Sequence, residues 1–137
     1  MKKIIFMVLF SMILFGVYGQ QRSENIWLIG TWTNTNTESF TNERNIVENW
    51  TYTQTLIFND NGSGRWQRTA VQGRVREEEN YDILFSIIPS GYPGTDIMIM
   101  IYILENNIIK ESDRFYVYRI NDQRFVNERD LIFNKRN

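Results

Sequence analysis

The chain has 137 residues, 42% of them hydrophobic, and a net charge of −1 from 15 basic and 16 acidic side chains. This near-neutral, slightly acidic balance argues against a nucleic-acid partner, which needs a basic face. Histidine and cysteine are both missing, which excludes Ser-His-Asp and Cys-His catalytic groups, imidazole or thiolate metal sites, and disulfides. We therefore predict no enzymatic activity, no cofactor and no metal site.

Residues 1–19 have the layout of a secretory signal peptide. A basic start is followed by an apolar stretch from Ile4 to Phe15, and Val17 and Gly19 occupy the −3 and −1 positions of a cleavage site. The apolar stretch is short for a membrane span, which needs about 20 residues. We expect cleavage near Gly19, export to the periplasm or the medium, and one mature domain over residues 20–137.

Period-two alternation dominates the first half of this domain and is typical of half-buried strands. A lead-in from Ser23 to Leu28 precedes a first strand predicted from Gly30 to Thr35. The polar segment from Asn34 to Asn45 predicts a long loop over one barrel mouth. The clearest strand, from Trp50 to Asn59, places Trp50, Tyr52, Gln54, Leu56 and Phe58 on one face.

A turn centred on Asn61-Gly62 divides this strand from the next, because Asn-Gly is the preferred two-residue hairpin pair. The surrounding stretch resembles the start of a calcium loop but lacks the acidic residue at its twelfth position. Gln72 to Asn80 predicts a charged connection. Between the turn and that connection, one strand carries Trp66, Arg68 and Ala70 in phase.

The second half continues the alternation. Both prolines lie in the turn from Pro89 to Gly94. The pattern contains seven or eight antiparallel strands in up-and-down order, which predict an all-β fold. We expect these strands to close into a small up-and-down β-barrel, because closure removes the unpaired strand edges. The predicted strands are Tyr81–Ile88 with Tyr81, Ile83, Phe85 and Ile87 in phase, Asp96–Leu104, a short one at Ile108–Glu111, and a final hairpin of Arg114–Ile120 and Arg124–Asn134.

Three segments carry a family resemblance: Gly30-Thr31-Trp32, the strand and turn from Leu56 to Gly64, and the closing stretch from Leu131 to Lys135. With them the chain resembles the small bacterial lipocalin-like proteins of the calycin group. The resemblance implies that Gly30 lets the first strand bend and that Trp32 fills one end of the barrel.

The same resemblance implies a basic side chain, near the end of the last strand, that packs over Trp32. Lys135 is the candidate, with Arg136 and Arg129 as alternatives. The opening also looks like that of an avidin-type barrel, but biotin binding there relies on tryptophans in the second half. No tryptophan follows Trp66 here, so we do not expect biotin binding.

An eight-stranded barrel either is filled by its side chains or holds one small ligand. Inward arginines at Arg68 and Arg129 would need a carboxylate, supplied by the protein or by a ligand. The alternatives are that these arginines point outward or that the interior is solid. The main hypothesis is therefore a binding protein for a small hydrophobic, amphipathic or carboxylate-bearing ligand. The candidate ligand-binding residues are Trp50, Tyr52, Gln54, Trp66, Arg68, Tyr81, Phe85 and Arg129.

The alternative hypothesis is a filled barrel that acts through its surface as an interaction or inhibitor module. The strand Ile97–Leu104 is apolar on both faces. Its outward face needs a cover, which the lead-in, a second protomer or a protein partner would supply. We expect a homodimer through this strand, and protein contacts through the 34–45 loop and the 89–94 turn.

Overall fold

A computed structural model describes residues 26–137, so the expected signal peptide lies outside the described residues. They form a closed barrel of eight antiparallel strands in which each pairs with its neighbours in the chain and the last pairs with the first. The prediction of an all-β, up-and-down barrel is confirmed. No helix in the described part is long and apolar enough to cross a membrane. A 3-10 helix at Ile26–Leu28 precedes β1 (Gly30–Thr41), β2 (Val47–Phe58), β3 (Ser63–Gln72), β4 (Val75–Pro89), β5 (Ile97–Glu105), β6 (Ile108–Asn121), β7 (Arg124–Asn127) and β8 (Ile132–Arg136).

The prediction of a long loop over residues 34–45 is wrong, because β1 continues to Thr41 and pairs with β2 along its whole length. Outward hydroxyls stabilise this polar part of the strand pair. Thr35 and Thr53 place their Oγ1 atoms 3.2 Å apart, and the Ser39 hydroxyl donates to Asn49 Oδ1 at 2.6 Å. Such cross-strand hydrogen bonds favour a strand without any apolar side chain.

The charged connection predicted over residues 72–80 is also a strand, since β4 begins at Val75. The turn is confined to two residues, of which Gly73 has a φ of 56°, a conformation that favours glycine. The predicted short strand at 108–111 is the first part of β6. Because the structure differs from the prediction in these three segments (34–45, 72–80 and 108–111), the barrel is taller than the hydrophobic pattern indicates.

The stretch predicted as a single strand from 124 to 134 is divided into β7 and β8 by a turn. Asn127 Oδ1 accepts hydrogen bonds from the backbone N–H groups of Arg129 and Leu131, both at 3.0 Å. Asp130 completes the turn with a φ of 59°. An inward asparagine that binds two backbone donors is a local turn-former, so β7 and β8 are short.

The closed end of the barrel is the end at which β1 begins and β8 ends. Fully buried aromatic side chains fill it: the Trp32 ring lies 4.8 Å from that of Phe125, which stacks on Phe133 at 4.9 Å. The 3-10 helix covers this end, with Trp27 edge-on to Trp32 at 5.8 Å. A bond from Trp32 Nε1 to the Leu28 carbonyl, 2.6 Å long, ties the helix to the first strand.

The opposite, open end has a low wall on one side. β1 pairs with β8 at three positions only, Thr31 to Thr33. Beyond them, Asn34 Nδ2 donates to the Ile132 carbonyl at 2.8 Å, and β1 continues upward with no neighbour on that side among the described strands. The barrel interior is therefore reachable both from above and through this side.

Candidate functional site

A cavity of about 540 Å³ occupies the open end, over the inner faces of β1 to β4. The turn between β7 and β8 bounds it on the low side of the wall. Its volume lies within the range of roughly 300–1,000 Å³ found for small-molecule sites. It is lined by Asn36, Glu38, Tyr52, Thr53, Gln54, Arg68, Thr69, Ala70, Glu77, Glu78, Glu79, Arg129 and Leu131.

Strand register arranges the inner side chains in rows across β1 to β4, because residues directly opposite each other in an antiparallel pair point to the same face. The upper two rows carry the polar side chains together with Tyr52 and Ala70, and the third row is apolar and aromatic. The cavity lining takes residues from the upper two rows and none from the floor row, which lies one inward position below. The upper row is Asn36, Tyr52, Ala70 and Glu77; the middle row is Asn34, Gln54, Arg68 and Glu79; the floor row is Trp32, Leu56, Trp66 and Tyr81.

Arg68 points into the barrel, and a carboxylate of the protein neutralises it. Its Nη1 lies 3.4 Å from Glu79 Oε2, and its guanidinium carbon lies 5.4 Å from the centre of the Trp66 ring. Both side chains of the ion pair are about half exposed (51% and 53%), so we assign the pair little stability. The ion pair holds the Arg68 guanidinium against the barrel wall, over the edge of the aromatic floor.

The aromatic floor is formed by Trp66, Tyr81 and Phe115. Trp66 is buried and contacts Tyr81 at 6.2 Å and Phe115 at 5.7 Å between ring centres. The pKa of Tyr81 is raised, first by desolvation and then by the charge of Glu79 and a hydrogen bond to it, with a smaller contribution from Glu111. Arg68 opposes this shift, so the raised pKa of Tyr81 reflects burial first and the neighbouring carboxylates second.

Two buried polar atoms at the deep end of the site have no hydrogen-bond partner among the described residues. One is Asn34 Oδ1, on a side chain that is 5% exposed, and the other is Trp66 Nε1. Buried polar groups usually have partners, and each exception calls for an explanation. Asn34 and Trp66 lie one inward position below Asn36 and Arg68, which line the cavity.

The structure brings only some of the candidate ligand-binding residues together. Tyr52, Gln54, Arg68 and Arg129 line the cavity, with Arg129 exposed on the rim, while Trp66 and Tyr81 form the floor below it. Trp50 lies above, stacked on Tyr52 at 6.5 Å between ring centres. Phe85 lies lower in the barrel against Phe58 and is not part of this site.

Sequence reasoning missed the polar half of the lining, namely Asn36, Glu38, Glu77 and Glu79. All four belong to the segments predicted as loops. The strand register could have identified the two residues on β4, because Glu77 and Glu79 continue the inward phase of Tyr81 and Ile83 along this strand. Hydrophobic periodicity cannot show such a phase when both faces are polar.

The closed end holds the three residues assigned to barrel closure, and it is filled. Lys135 Nζ donates to the Trp27 carbonyl at 2.8 Å and lies 5.4 Å from the centre of the Trp32 ring. Gly30 has a φ of 131°, and a Cβ there would approach Lys135 Cε to 2.8 Å. Arg119 adds a second cation, 4.9 Å from the centre of the Trp27 ring.

The outer face of β5 is apolar, and its side chains are half-buried. The isoleucines of Ile97–Ile103 that point inward are buried, while Met98, Met100, Tyr102 and Leu104 point outward with intermediate exposure. Leu84 and Ile88 on β4 flank them and are 41% and 40% exposed. β5, with Leu84 and Ile88 of β4, thus presents an apolar outer patch that is bordered by Ser86 on β4 and by Ser112 and Arg114 on β6.

Within residues 26–137 no group of three or more acidic side chains is arranged to hold a metal ion. No protein-family model, no characterised protein and no solved structure matches the chain.

Proposed function

We propose that the protein is an exported, lipocalin-like binding protein that holds a small amphipathic ligand in the open end of its barrel, without catalysis. The observation that carries this proposal is the cavity of about 540 Å³ with two polar rows above an aromatic floor. A closed barrel is a rigid scaffold compatible with such binding. Pre-formed pockets with a few polar groups are the usual small-molecule sites.

The geometry suggests how an amphipathic molecule would lie. Its apolar part would pack on Tyr52, Ala70 and Leu131 and extend toward the ring of Trp66, where burial of apolar surface contributes roughly 25 cal/mol per Å². Its polar part would stay beside the two polar rows. The low wall above Thr33 supplies a lateral entrance, so that no strand has to separate.

Native mass spectrometry of protein expressed from the whole sequence tests this proposal. We expect a bound small molecule after gentle purification and its loss after delipidation. The variant Tyr52→Ala should retain less of it because the ring lines the cavity, whereas Tyr118→Ala, on the exposed outer face, should retain as much as the wild type. Equal retention by both variants would contradict the placement of the site, and the protein mass also reports cleavage near Gly19.

A second candidate function, a dimeric interaction module, is favoured by the apolar outer patch of β5 and β4. A two-fold dimer would bury the same surface on both copies, with Met100 near its centre between Ser86 and Arg114. Sedimentation should then show a dimer that Met100→Glu converts to a monomer. If the wild-type protein sediments as a monomer at micromolar concentration, the dimeric interaction module is contradicted.

A further inference from the structure

We infer that the head group of the ligand is a cation, such as a protonated amine, held among the inward carboxylates of the open end and bound at depth by Asn34. This inference rests on the proposed function and names the ligand class of the same site. It differs from the carboxylate-bearing ligand expected from the inward arginines.

The first step is the charge of the inner surface. Glu38, Glu77 and Glu79 line the cavity from β1 and β4. Glu79 is paired with Arg68, whereas neither Glu38 nor Glu77 forms an ion pair with any residue that the structure describes. Glu38 Oε1 accepts a hydrogen bond from Asn36 Nδ2 at 3.1 Å, but no described cation offsets the charge of Glu38 or Glu77.

Strand register brings two more carboxylates to the opposite wall. Glu111 and Asp113 on β6 pair with Ile103 and Ile101, whose side chains are buried in the barrel, so they share the inward phase. The only inward cations at this end of the described barrel are Arg68 and the rim residue Arg129.

The second step is independent of charge and concerns Asn34. Its Nδ2 is engaged by the Ile132 carbonyl, but its Oδ1, buried on the inner face beside Gln54, has no partner among the described residues. An amide oxygen can only accept, so the missing partner is an N–H or O–H donor. An ammonium group provides up to three N–H donors as well as the positive charge.

The third step is the aromatic surface. The Trp66 ring already carries one cation over its face, Arg68 at 5.4 Å. Trp50 and Tyr52 form a further stacked pair on the inner wall. Aromatic faces attract cations, so the apolar parts of this site favour a cationic head as well.

A carboxylate head would be disfavoured by the same geometry. It would have to displace Glu79 from Arg68, 3.4 Å away, and it would lie among the remaining carboxylates. Arg129 remains as a partner, and like Glu38 and Glu77 it is exposed, so water screens all three charges.

Decylamine, decanol and decanoate test the inference at neutral pH, because they share one hydrocarbon chain and differ only in the head group. By calorimetric titration we expect decylamine to bind about tenfold more tightly than decanol, corresponding to one charge-assisted hydrogen bond, and decanoate to bind most weakly. The preference for the amine should shrink as the salt concentration rises.

Two variants with one control locate the effect. Glu38→Gln and Glu77→Gln keep the side-chain shape and should each weaken decylamine severalfold while leaving decanol unchanged. Asp82→Asn removes a carboxylate from the outer face, where it pairs with Arg65 at 3.6 Å, and should change neither. An equal loss for amine and alcohol would show a structural effect and overturn the inference.

The failure of this inference is distinguishable from that of the proposed function. If all three amphiphiles bind and decanoate binds as tightly as decylamine, the cationic head is wrong and the binding function stands. If none of the three binds at millimolar concentration, the proposed function is wrong and the inference falls with it.

Discussion

Lys135 is the residue that connects three parts of the closed end. Its Nζ donates to the carbonyl of Trp27 in the lead-in helix and lies over Trp32 of β1, while its backbone belongs to β8. At this position the Lys135 side chain has both a hydrogen-bond acceptor and an aromatic face within reach. Gly30 leaves the room for it, since a Cβ there would approach the Lys135 side chain to 2.8 Å.

The substitution Lys135→Met tests this role. It keeps the apolar stem but removes the hydrogen bond and the cation, so we expect a loss of about 1–2 kcal/mol in the free energy of unfolding. Urea denaturation followed by tryptophan fluorescence measures it. Lys110→Met is the control, because Lys110 is 60% exposed in a surface ion pair with Glu105 and its loss should leave the stability nearly unchanged. Equal losses would contradict the special role of Lys135.

At the scale of elements, β1 shows why the site was only half predictable. Its first part, with Trp32 between small residues, has an obvious apolar phase. From Thr35 onward both faces are polar except for Phe40, which is 46% exposed. On the outer face hydroxyls bond across to β2, and on the inner face Asn36 and Glu38 line the cavity. Hydrophobic periodicity in a sequence shows which side chains are buried, and this part of β1 has few side chains to bury.

The same limit applies to β4, whose first residues read as a charged connection although they form a strand. Inward aromatic residues such as Tyr52 and Trp66 were predictable, since they continue apolar alternations. The carboxylates that define the chemistry of the site lie in polar segments where the phase is hidden. The barrel was therefore predictable as a closed all-β sheet, but its height and the charge of its mouth were not.

At the scale of the whole molecule, the barrel divides along its axis into two ends with different chemistry. The closed end is packed with aromatic rings and closed by the lead-in helix, which gives a cysteine-free chain a continuous core. The open end carries paired and unpaired charges around a cavity, and the short β7 and β8 leave its wall low on one side. The closed end contains the packed core, and the open end contains the candidate site.

Trp32 and Trp66 share the floor row, but the Trp32 ring packs against Trp27 and Phe125 of the closed end, so the two indole N–H signals in a ¹⁵N–¹H correlation spectrum distinguish the two ends most directly. On titration with decylamine we predict a shift of the Trp66 signal, whose Nε1 has no partner in the described barrel, and no shift of Trp32, whose Nε1 is bonded to the Leu28 carbonyl. Shifts confined to Trp27 and Trp32, or an unchanged Trp66 signal at saturating amine, would contradict binding in the open end.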